Sequence, residues 1–66
     1  MQIQFTGRNH NEMISFENQI SIREALHLAN IAPSTVIVSF EENILPHSTI
    51  IKSDAELNVI TVSSGG

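Results

Sequence analysis

The chain has 66 residues, 41% hydrophobic and 15% charged, with a net charge of −4 and no cysteine. A domain this small buries only about 60% of the surface its unfolded form exposes, so one small core with a modest stability margin is expected. The apolar content argues against a disordered tail, and the missing cysteines exclude disulfides and thiolate metal sites. The three cations, Arg8, Arg23 and Lys52, are scattered along the chain, which makes a phosphate-tracking nucleic-acid surface hard to build, so no nucleic-acid partner is expected and an electropositive one is favoured.

The opening MQIQFTGRNH alternates polar and apolar residues. It carries no basic and apolar leader, and no apolar run in the chain is long enough to span a bilayer, so cytoplasmic residence without a membrane partner is the expectation. Gln2 to Thr6 reads as a strand with Ile3 and Phe5 on its buried face. Gly7 to Asn11 is turn-rich, and Ile14 and Phe16 recur at period two in EMISF, which predicts a hairpin.

Ser21 followed by Glu24 is a capping-box pattern: the serine hydroxyl accepts from the Glu24 N–H while the carboxylate reaches back to the Ser21 N–H. Ile22, Ala25, Leu26 and Ala29 then fall on one helical face, predicting a helix from Ile22 to Ala29 or Asn30. Pro33 disfavours helical geometry at Ala32 and closes that segment.

Val36, Val38 and Phe40 alternate with Ile37 and Ser39 in the next strand, followed by a polar turn at Glu41-Glu42-Asn43. Ile44-Leu45 predicts a short edge strand limited by Pro46, which has no N–H for a ladder. STIIKSDAE reads as a loop turning at Ser53-Asp54-Ala55-Glu56, and ELNVITV as the last strand. The expected fold is α+β, one helix across a curved sheet of four or five strands. The expected organisation is a folded body over residues 1–62 and a tail over 63–66.

Two of the three glycines are Gly65 and Gly66. Without Cβ atoms they suit a channel too narrow for side chains. An α-carboxylate on Gly66 would be ionised at neutral pH, able to attack an activated phosphorus but inert as an acyl donor until a partner activates it.

The opening MQIQF, the capped helix, the stretch ILPHS and the Gly-Gly ending together resemble the ThiS and MoaD family of ubiquitin-like sulfur carriers, ThiS most of all, along essentially the whole chain. Relatives often have Asn-Gly in the third hairpin and Asp-Gly-Asp before the last strand. Here those places hold Glu41-Glu42-Asn43 and Ser53-Asp54-Ala55-Glu56.

The resemblance implies a β-grasp fold with a mixed sheet. It also implies a non-enzymatic carrier whose Gly66 is a co-substrate: a ThiF-type enzyme uses ATP to adenylate it, and the carrier itself binds no cofactor. A persulfide-bearing desulfurase or rhodanese-type donor then supplies sulfur. The resulting thiocarboxylate delivers it to the thiazole of thiamine on a ThiG-type synthase. Carriers for molybdopterin or tRNA thiolation share this chemistry, as do ubiquitin-like modifiers joined to lysines. A binding module with an idle tail is the remaining alternative.

Period two turns Ile60 and Val62 outward if Leu57 and Val59 point in, and likewise Ile37 between Val36 and Val38. In a β-grasp fold their strands are neighbours. Ile37, Ile60 and Val62 therefore form an expected docking patch leading into the tail, with acidic residues around it and Ser63 and Ser64 where relatives often carry apolar side chains. His10, His27 and His47 fall on different elements without metal-ligand spacing.

Overall fold

A computed structural model of the chain describes residues 1–62. The elements are β1 (Gln2–Thr6), β2 (Asn11–Ser15), β3 (Ile20–Ser21), α1 (Ile22–Leu28), β4 (Val36–Phe40), β5 (Asn43–Leu45), β6 (Ile50–Ile51) and β7 (Ala55–Thr61). A 3₁₀ turn, Pro33–Thr35, leads into β4.

Five strands form a mixed sheet in the order β2-β1-β7-β4-β5, and β3 and β6 form a separate antiparallel pair. The β1–β2 and β4–β5 pairs are the predicted hairpins. The central pair, β1 with β7, is parallel. Parallel neighbours need a long crossover, and here it contains α1 and the three intervening strands of the main sheet. The architecture is thus a small α+β domain with one helix, as expected from the periodicities.

One face of the sheet makes the core. Ile3 and Phe5 of β1, Val38 of β4 and Leu57 of β7 meet Ile22, Ala25 and Leu26 of α1, all essentially without solvent exposure. No polar or charged residue is buried among the described residues, so the core carries no desolvation penalty for unpaired groups.

Local chemistry sets the ends of α1. Ser21 Oγ accepts from the Glu24 N–H at 3.1 Å. The expected reciprocal bond differs: the Glu24 carboxylate is met by the Ser21 hydroxyl at 3.4 Å rather than by its N–H. At the other end Asn30 has φ 63, its N–H donates to His27 O and the Ile31 N–H donates to Leu26 O. These two bonds are a Schellman motif with asparagine in the left-handed position. Ala32 is extended before Pro33, as the proline requires.

Four boundaries differ from expectation, the first being that α1 ends at Leu28 with Ala29 as its cap rather than at Ala29 or Asn30. Glu41 and Glu42, at φ 49 and 71, alone form the two-residue type I′ turn, and Asn43 pairs with Phe40 inside β5. Ala55 and Glu56 belong to β7, where they pair with Ile3 and Gln4. Ile50-Ile51, expected as loop, pair with Ile20-Ser21 and cover one edge of the core.

Candidate functional site

The last strand positions the candidate site. Val59 and Leu57 are buried, so alternation turns Ile60 to the outer face, where it is 44% exposed. Antiparallel register sets Ile37 directly opposite Ile60, and Ile37 is half-buried beside it. Cross-strand pairs of this kind are in direct side-chain contact. Val62 is 40% exposed, and its N–H donates to Thr35 O at 2.8 Å, which continues the strand direction past the last ladder pair. Ile37, Ile60 and Val62 are therefore brought together on one face, at the end of the strand that leads into the tail. The predicted tail residues, Ser63, Ser64, Gly65 and Gly66, lie outside the described residues.

On its other side β7 outruns its neighbour. The β1 register ends with Thr6 opposite Asn58, and beyond it the β1–β2 loop closes against Val59 to Thr61. A Cβ on Gly7 would overlap the Val59 carbonyl oxygen; glycine is needed there for space rather than for a left-handed backbone. His10 Nε2 lies 2.9 Å from Thr61 Oγ1, tying the loop to the last residue of the strand. Arg8, Asn9 and His10 line a shallow cleft with Asn58, Ile60 and Thr61.

This loop is the part of the site that sequence reasoning passed over. Its signal was Gly7, a glycine in a hairpin connection longer than two residues, which marks close backbone approach as well as a turn. Of the acidic residues, Glu12 lines a neighbouring cleft with His10, Thr35 and Thr61. Arg8 is the charged side chain lining the cleft beside Ile60, whereas Glu56 lies back along β7 next to Gln4 and Glu41-Glu42 sit at the far end of β4.

The histidines serve different places: His10 bonds Thr61, the His47 carbonyl accepts from the Arg23 N–H, and His27 lies in the last turn of α1. Among the described residues no helix is long and apolar enough to cross a membrane. No protein-family model matches the chain, and no curated protein matches its sequence.

Proposed function

We propose that the chain is a β-grasp sulfur carrier of the ThiS type, which works by presenting the carboxylate of Gly66 to partner enzymes. The observation that carries this reading is the placement of β7. The strand is central in the sheet and outruns β1, and it presents the Ile37–Ile60 pair immediately before the sequence Ser63-Ser64-Gly65-Gly66. The strand order, with parallel β1 and β7 at the centre and one helix on the core face, is compatible with that fold.

The chemistry follows from the terminus. A Gly66 carboxylate oxygen attacks the α-phosphorus of ATP on an activating enzyme, expelling pyrophosphate. The terminal sulfur of a partner persulfide then attacks the acyl carbon and displaces AMP. A partner thiol cleaves the resulting S–S bond, leaving a thiocarboxylate on Gly66 and a disulfide on the partners. The transferred sulfur comes from a partner, because the chain has no cysteine to carry a persulfide. The folded body binds and orients: the Ile37–Ile60–Val62 face docks on the activating enzyme while the small tail residues enter its channel. Delivery to the thiamine thiazole is the acceptor step of this reading.

Intact mass spectrometry of the protein from its native cell tests the proposal. The expected species ends at Gly66 and carries one sulfur in place of a carboxylate oxygen. Gly66 joined to lysines of other proteins would make the chain a modifier instead. An unmodified, unconjugated chain under both thiamine and sulfur starvation would eliminate both roles.

A further inference from the structure

We propose that the cleft between Phe40 and β6 is a docking site for a basic segment of a partner protein, which inserts one apolar side chain there. The cleft lies on the opposite side of the sheet from the Ile37–Ile60 pair and does not depend on the chemistry of Gly66.

The size of the helix creates it. Seven residues make a helix about 10 Å long and about 10 Å across, whereas five strands make a sheet about 19 Å wide. Part of the core face is therefore left to other elements, and toward β5 the cover is thin. Alternation after Val36 and Val38 puts Phe40 on the core side, and Leu45 shares that side because it pairs with Val38. Beside them stands β6, with Ile51 packed on the core and Ile50 44% exposed. Phe5 and Phe16 are buried, but Phe40 is 40% exposed.

Phe40, Leu45, Ile50 and Ile51, together with the buried Leu57, line a cleft of about 220 Å³. Small-molecule and cofactor sites run to about 300–1,000 Å³, so this one suits a single side chain carried by a larger surface. Its walls are fixed. Ile51 pairs with Ile20, and the Thr49 and His47 carbonyls accept from the Ile22 and Arg23 N–H groups at 3.0 Å. A preformed cleft spares the complex the cost of ordering it.

Charge selects the partner. Glu41 and Glu42 follow Phe40 directly and Asp54 lines the cleft, while Lys52 alone among the described residues adds a positive charge to the lining. Three carboxylates against one ammonium, on a chain of net charge −4, repel the phosphates of nucleic acid or anionic lipid, and equally a second copy bringing the same groups. Arginine or lysine beside the inserted side chain would meet these carboxylates, and an arginine can also lie on the face of the Phe40 ring. An apolar anchor inside a polar rim is the usual anatomy of a protein contact.

Selection from a phage library of short random peptides on the immobilised full chain at low salt identifies the ligand chemistry. The selected peptides should share an apolar residue flanked by arginine or lysine, and should lose affinity as salt rises. Phe40→Ser should weaken them at least about tenfold. Glu41→Lys combined with Glu42→Lys, which removes no core packing, should weaken them about fivefold or more. Ile60→Arg should leave binding unchanged. Amide chemical shifts of the wild type with the tightest peptide need no substitution: Phe40, Leu45 and Ile50 should move and Ile60 should not.

No selected sequence, sequences without basic residues, or shifts centred on Ile60 would overturn the proposal. So would binding that survives both the charge reversal and Phe40→Ser. These outcomes leave the carrier reading untouched, since the mass of the native protein decides that.

Discussion

Glu42 holds φ 71 and Glu41 φ 49 in the turn between β4 and β5. A left-handed backbone costs an L-residue roughly 1–2 kcal/mol, and replacing it by glycine gives back about 0.5–1 kcal/mol through the freer unfolded chain. Glu42→Gly should therefore stabilise the protein by about 0.5–1 kcal/mol, raising the urea midpoint at unchanged slope. Gly7 presents the opposite case. Gly7→Ala drives a Cβ into the Val59 carbonyl oxygen, a backbone atom that moves only with its strand, so a loss of about 1–3 kcal/mol is expected in the same urea titration. These two positions show the limit of reading single residues. Glu41-Glu42-Asn43 announces a turn through polarity, but nothing in glutamate marks a positive φ. Gly7 announces freedom of backbone, while its need for space becomes visible only when Val59 lies against it.

Elements with a strong period were legible because one face of each meets the core. Ile3 and Phe5, Ile22, Ala25, Leu26 and Ala29, Val36 and Val38, and Leu57 and Val59 are buried as their spacing requires. The pairs β3 and β6 were not legible, because two residues carry no period and Ile20-Ser21 and Ile50-Ile51 become strands only through each other. The parallel pairing of β1 with β7 is likewise a property of the whole chain, absent from either strand alone.

The helix is the element with the narrowest support. A seven-residue helix is too short to persist by propensity and depends on packing and caps. Ser21→Ala removes the acceptor of the Glu24 N–H and should cost about 1 kcal/mol. Ser21→Asp keeps an acceptor and should stay within a few tenths of a kcal/mol of wild type. Chemical denaturation of the pair separates lost capping from a general intolerance at position 21.

At the scale of the whole molecule, exposed apolar residues are not confined to one region. Leu28 on the helix is 62% exposed and Ile44 on the edge strand 68%, both more open than Ile60. Exposure alone therefore does not select a docking face, since single apolar residues on a surface are ordinary. Position relative to the tail does. Ile60 lies opposite Ile37 at the end of β7, whereas Leu28 occupies the helix, across the core from the outer face of the sheet. Ile60→Arg should leave circular dichroism unchanged and stability within about 1 kcal/mol, because the outer face of the sheet is open to solvent there. At a docking centre the same change costs about 2 kcal/mol or more of binding, a reduction of roughly thirtyfold in the yield of Gly66 adenylate per unit of activating enzyme. Leu28→Arg should have no effect on that yield. Equal losses from both variants would mean that total apolar surface governs recognition, and no loss from either would move the docking contact off the Ile37–Ile60 face and onto the Gly7–His10 loop or the tail itself.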